Sequence, residues 1–192
     1  SGMSYLHSHD VIHHELNTQN IFVDSELNPK ITEFGFMIKP QNSCRISHHS
    51  MINKSRIQYY IAPEVIQCND VLNEEQNNNN KRNIDIDKAS DVYSFAYVVY
   101  EIITGKIPFL NIKDQNQFFN EIINKISRPS LSGIPSKYRE LISKCWSPDP
   151  KERPTFKTIV ENLRTDNEFI TNTINEKEYH NYIIMLEQNE QK

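Results

Sequence analysis

Between Val92 and Ile103 the chain carries Val92, Phe95, Val98, Val99, Ile102 and Ile103, spaced so that a helix through them is apolar on nearly every side. Such a helix has no face to give to water and is stable only when other elements wrap it. The sequence therefore predicts a domain built around a buried helix, ended by Gly105 and Pro108. The wrapping elements are legible as further stripes. Phe118, Phe119, Ile122, Ile123 and Ile126 make one, and Tyr138, Leu141, Ile142 and Cys145 a second. Thr155 starts a third, filled by Phe156, Ile159, Val160 and Leu163, and Tyr179, Tyr182, Ile183 and Leu186 mark a helix in the tail. Another helix ends near His9, marked by Met3 and Leu6. At 192 residues the chain is long enough for one mainly α-helical domain with a real core.

The rest is strand, loop and low-complexity sequence. Val11-Ile12 and Ile21-Phe22-Val23 are short apolar runs around a polar loop and read as a small hairpin, while Pro29-Lys30-Ile31-Thr32 reads as a strand that turns at Glu33-Phe34-Gly35. Residues 39–56 are polar and read as an exposed loop. Residues 69–88, which include Asn77-Asn78-Asn79-Asn80, read as a disordered insertion. A net charge of −4 argues against nucleic acid or an acidic membrane as partner, since both demand a basic face. The most apolar stretch, Phe95–Ile103, is broken by Glu101 and is far below the roughly 20 residues of a membrane span. Cys44, Cys68 and Cys145 are odd in number and widely spaced, so reduced thiols in a cytoplasmic protein are expected. His7, His9, His13 and His14 lack the spacing that puts two metal ligands on one helix face.

A series of short motifs runs through this framework in a fixed order. Tyr5-Leu6-His7, Val11-Ile12-His13 and Asn20-Ile21-Phe22 come first, then Glu33-Phe34-Gly35, Ala62-Pro63-Glu64 and Ser90-Asp91-Val92-Tyr93. Cys145-Trp146, Asp149-Pro150 and Arg153-Pro154 close it. Any one triplet is weak; their joint order and spacing is specific. Over residues 3–163 the chain resembles a eukaryotic protein kinase read from its catalytic loop onward, that is, the C-terminal lobe. The last motifs look most like the tyrosine-kinase-like group of Ser/Thr kinases. The resemblance implies a domain at 1–165 with an activation segment at about 33–64, and a helical extension at 166–192. It implies structural roles for His13, Phe34, Gly35, Glu64, Asp91, Trp146 and Arg153. Glu64 would pair with Arg153, and Asp91 would accept backbone N–H groups of the catalytic loop.

The same resemblance locates the chemistry and its losses. Phosphoryl transfer depends on placing metal, phosphate and hydroxyl correctly. Glu15 stands where the family has its catalytic Asp, His14 where it has Arg, and Asn17 where it has the catalytic-loop Lys. Asn20 keeps the position of a Mg²⁺ ligand, Glu33 replaces the metal-binding Asp, and Phe22 falls at the nucleotide. Glu for Asp adds one methylene, about 1.5 Å of reach. Mg²⁺ demands near-ideal octahedral geometry at about 2.0–2.1 Å, and a misplacement of about 1 Å costs on the order of 10²-fold in rate. Ile57, at the place of the family's activation-segment Thr, has no hydroxyl. A His at position 14 cannot copy the guanidinium fork that docks a phosphorylated loop.

ATP and Mg²⁺ are the cofactors implied by the resemblance, with binding expected to be weak or absent. The chain holds no Gly-rich phosphate loop, no strand with a phosphate Lys and no Glu-bearing helix to pair with it. Two functions remain open. One is a pseudokinase fragment acting as a binding or regulatory module. The other is an active Ser/Thr kinase whose first lobe lies outside this chain. An apolar face including Phe22, Val23 and Phe34 would then meet that lobe, a protein partner or a second copy.

Overall fold

A computed structural model of the chain describes residues 1–33, 58–66, 84–110, 112, 117, 120–124 and 126–190. The fold is mainly helical with one small sheet among the described residues. Helix α1 spans Gly2–Ser8; β1 (Ile21–Val23) and β2 (Pro29–Ile31) follow; α2 spans Ile84–Thr104, α3 Ser136–Cys145, α4 Phe156–Thr165 and α5 Glu176–Glu190. Short 3₁₀ turns at Thr18–Asn20, Gln58–Tyr60, Pro150–Glu152 and Asn167–Phe169 and a π turn at Asn120–Asn124 join them. No helix among the described residues is long and apolar enough to cross a membrane.

Helix α2 is the axis of the domain, packed against α3 and the turns at Gln58–Tyr60 and Pro150–Glu152, while α1 packs on α4. Its end follows from glycine: Gly105 takes φ 63° and donates its N–H to the Glu101 carbonyl at 2.8 Å. The buried side of α2 holds more than the apolar residues named above, of which Phe95, Val99 and Ile103 are half-buried against the core. Tyr93, Ala96, Tyr97 and Tyr100 lie in the core with Val92 and Val98, whereas Ile102 is 71% exposed. Tyrosine is amphipathic, and the Tyr93 and Tyr97 rings bury their bodies while their hydroxyls partner each other. The Tyr93 and Tyr97 hydroxyls meet at 3.3 Å, and both Arg128 and Arg153 sit over the Tyr93 ring. Trp146, Leu141, Ile142, Cys145, Phe156 and Ile159 complete the core. Thr155 caps α4 by accepting the Thr158 N–H.

Two expectations are corrected. Helix α2 begins at Ile84, inside the span 69–88 read as a disordered insertion; residues 67–83 lie outside the described residues. Extending an existing helix requires no new nucleus, so it can run into polar sequence. The second concerns the hairpin. Among the described residues there is one, β1 with β2, antiparallel with Ile21 opposite Ile31. The Val11-Ile12 run is not a strand. The N–H groups just after it bond to a side chain, Asp91, instead of a neighbouring strand. The turn between β1 and β2 is held by Asp24, whose Oδ1 accepts the Glu26 and Asn28 N–H groups. The tail helix α5 turns Tyr179, Ile183 and Leu186 partly inward, and the Tyr179 hydroxyl donates to the Leu163 carbonyl. Tyr182 stays exposed.

Candidate functional site

The loop from Ile12 to Asn20 is suspended from the central helix by one buried carboxylate. Asp91 Oδ2 accepts the His13 N–H and Oδ1 the His14 N–H, both at 2.8 Å, and His7 Nε2 lies 2.9 Å from Oδ2. A fully buried carboxylate is tolerable only when its lone pairs are filled this way, and bonds to a charged acceptor are the strong ones. They also hold His14 at φ 65°, a left-handed conformation that costs a non-Gly residue about 1–2 kcal/mol. His13 joins the loop to the strand that follows. Its Nδ1 accepts the Glu15 N–H at 3.3 Å, which leaves the ring proton on Nε2, 2.9 Å from the Thr32 carbonyl it donates to.

The backbone of Glu15 is tied to the side chains of Asn17 and Asn20, and Thr32, next to Glu33, is tied to the backbone of Asn20. The Glu15 carbonyl accepts from Asn17 Nδ2 and from Asn20 Nδ2, each at 2.8 Å. Asn17 Oδ1 accepts the Gln19 N–H at 2.9 Å, capping the Thr18–Asn20 turn. The Thr32 N–H donates to the Asn20 carbonyl at 2.9 Å, so Glu33 follows directly on a residue tied to Asn20. Asn17 is 2% exposed, and its amide is turned into the loop as a brace. Glu33 is exposed, at φ 60°. Phe34 and Gly35 lie outside the described residues, as does most of the span assigned to the activation segment. Phe22 is exposed on β1, opposite Lys30.

Below the loop, Arg153 and Glu64 form a bidentate pair at 2.6 and 2.9 Å. The Arg153 guanidinium also donates to the Ala89 and Ser147 carbonyls. Trp146 packs near Tyr97 and Tyr100.

One cluster escaped the sequence reading. Glu101, on α2, accepts from the Tyr59 hydroxyl at 2.6 Å and from the Thr18 hydroxyl at 2.9 Å. The Tyr60 hydroxyl lies 3.1 Å from Thr18 Oγ1. Burial, reinforced by Glu101, pushes the Tyr59 hydroxyl far above its ordinary value, and burial pushes Tyr60 up to about 12. The signal available in the sequence was Glu101 itself, a carboxylate interrupting an apolar helix.

Magnesium takes oxygen ligands, and Asn20 Oδ1 and the Glu33 carboxylate are of that kind. Asn17, by contrast, is neutral, buried and bonded inward, and offers no cation.

Comparison with known proteins agrees with this architecture. Residues 1–163 match the family described as protein tyrosine and serine/threonine kinase. A probable serine/threonine-protein kinase of Dictyostelium discoideum is 32% identical over 168 residues, covering 85% of this chain and 10% of that protein. The dual specificity protein kinase shkD of the same organism is 34% identical over 84% of this chain and 20% of its own length. Mitogen-activated protein kinase kinase kinase 10 of Xenopus laevis is 30% identical over 85% of this chain and 15% of its own. The chain thus spans a fifth or less of the length of these relatives. With most of its length matched, the chain belongs to the protein tyrosine and serine/threonine kinase family.

Proposed function

We propose that this kinase domain is the C-terminal lobe of the fold, from the tyrosine-kinase-like group, impaired in phosphoryl transfer and acting as a binding or regulatory module. The observation that carries this reading is Asn17. At the place of the family's catalytic-loop lysine stands a neutral side chain, 2% exposed, with both polar atoms engaged inside the loop. Nothing at that position reaches toward a phosphate. Glu15 and Glu33, each one methylene longer than the family's aspartates, compound the loss. The partner surface in this reading is the β1–β2 hairpin, where Phe22, Val23 and Leu27 are exposed together. The first lobe of a kinase, another protein or a second copy of the chain would cover it.

The test is a melting scan with millimolar ATP and Mg²⁺. A ligand at a hundred times its Kd raises stability by about 2.7 kcal/mol; no shift is expected. Transfer of radiolabel from ATP to a peptide, abolished by Glu33→Ala, would overturn the proposal. Sedimentation with a dye for exposed apolar surface tests the hairpin: a monodisperse monomer that binds no dye counts against it.

The second reading is an active Ser/Thr kinase whose first lobe lies elsewhere in a longer polypeptide. It is favoured by Glu15 and Glu33, which keep the charge of the residues they replace. A nucleotide-induced rise in melting temperature, with label transfer once a first lobe is supplied, would select it.

A further inference from the structure

Two exposed surfaces have no part in the proposed function, one on α5 and one beside the end of α2. The family match covers residues 1–163, and α5 lies beyond it. Tyr179, Ile183 and Leu186 turn partly inward, and the Tyr179 hydroxyl is tied to the Leu163 carbonyl. That anchoring leaves Glu178, Tyr182 and Met185, spaced four and three apart, as one stripe facing solvent, with Ile184 beside it. Tyr182 is 37%, Met185 38% and Ile184 51% exposed. Exposed apolar residues standing singly are ordinary; three together on one helical turn mark a contact surface.

The second surface is a groove of about 570 Å³ where α2 gives way to the loop that follows it. Tyr100, Ile107, Phe109, Leu110 and Pro129 line it together with Lys106, and no carboxylate does. Ile107 and Leu110 open to solvent. Its wall is strained: Phe109 stands at φ 52°, a left-handed conformation that a bulky residue rarely takes, and strain of this kind collects at binding sites. Tyr100 is 6% exposed, yet its hydroxyl has no hydrogen-bond partner among the described residues. A buried hydroxyl in that state wants an acceptor brought from outside.

The two surfaces match in chemistry. Helix α5 carries four glutamates and one lysine, so it is acidic where the groove is basic. A cavity of about 150 Å³ holds one benzene, so the groove has room for the Tyr182 ring and the Met185 side chain together. Within one copy both surfaces are exposed, so they do not cover each other. Two α5 stripes face to face would set acid against acid, which disfavours a pairing of helix with helix. We infer that the groove beside Leu110 receives the outer stripe of α5 from a second copy of the chain. This surface is separate from the β1–β2 hairpin, and the inference does not depend on whether nucleotide binds. The contact is heterologous: each copy offers one groove and one helix, so assembly continues until a ring closes.

The experiment is sedimentation equilibrium of the full chain between about 10 µM and 1 mM, the range of a small transient interface. The average mass is expected to rise with concentration to that of a dimer or beyond. Leu110→Asp spoils the groove and Met185→Asp spoils the helix stripe; both positions are exposed. Each variant alone is expected to lose at least about tenfold in association constant. An equimolar mixture of the two should form a dimer and stop there, because one partner keeps only its helix and the other only its groove. Lys106→Glu and Glu178→Lys keep the test open if an aspartate unfolds the chain: each alone should weaken association, and mixing them should restore it. Phe22→Ser with Val23→Ser alters the hairpin and should leave association unchanged. A chain that stays monomeric at 1 mM would overturn the inference. So would variants that do not complement on mixing, or association lost with the hairpin residues instead of Leu110 and Met185.

Discussion

Replacing Glu64 by Gln probes the energetic centre beneath the loop. The Arg153 side chain is fully buried, while Glu64 is 19% exposed. Glu64→Gln removes the charge but keeps the shape, leaving a buried guanidinium without its counter-ion. Removing one side of a buried pair costs about 3–5 kcal/mol. The low end applies, because Arg153 keeps the Ser147 and Ala89 carbonyls and the Tyr93 ring face at 5.0 Å. A loss of about 3 kcal/mol is a large fraction of the roughly 5–15 kcal/mol that holds a typical domain together. With a urea slope of about 2 kcal/mol/M, the midpoint falls by about 1.5 M. The single tryptophan, Trp146, is buried beside Tyr97 and reports unfolding by its fluorescence. In the double variant Glu64→Gln with Arg153→Met, no buried charge remains to be compensated, so the two losses should fall well short of their sum. A midpoint shift below about 0.3 M for Glu64→Gln, or strictly additive losses in the pair, would refute the reasoning.

Asn17→Ala removes a cap and leaves the Gln19 N–H without its acceptor; a loss of about 1–2 kcal/mol in the same urea assay is expected. Deleting residues 174–192 strips Tyr179, Ile183 and Leu186 from the α4 side of the domain and should lower the melting temperature by several degrees, at about 2–4 °C per kcal/mol; an unchanged melt would show that α5 does not pack. Burial pushes the Cys145 thiol up to about 12. The folded state therefore keeps a proton that the unfolded state releases near pH 9, and stability present below that point is lost at about 1.4 kcal/mol per pH unit as pH rises toward 12. Urea midpoints at pH 8, 9 and 10 check this, and Cys145→Ala should flatten the fall. Lys88→Ala, which breaks a close contact with the exposed Asp10, should leave the midpoint within error, since exposed ion pairs contribute little.

The fold and the site were legible to different depths. Helical stripes and the Thr155 cap are local patterns, and local patterns specify elements: α3 and α4 lie over the residues whose spacing marked them. The proposed replacements at Glu15, Asn17 and Glu33 are matters of residue type at a motif position and need no coordinates. The central helix was legible, but the tyrosines that fill its buried side were not, because tyrosine counts as half polar until its hydroxyl has a partner. The Tyr93 and Tyr97 hydroxyls meet each other along one helix, but the rings are covered by residues far away in sequence, Trp146 and Arg153 among them. Glu101 was missed for the same reason: its bonds reach back 42 residues to Tyr59 and 83 to Thr18.

By itself the sequence determined the catalogue of parts: a wrapped central helix, the order of kinase motifs, and the residue types, Glu15, Asn17 and Glu33 among them, that stand within those motifs. Only the tertiary structure decided how those side chains are used. It turned the Asn17 amide inward as a brace, filled both oxygens of Asp91 with the backbone of a loop nearly 80 residues away, and made Glu101 a junction. The physical reason is that a polar group in a core must be satisfied wherever a partner can be found. Which partner that is depends on distance in space, and spacing along the chain carries no record of it.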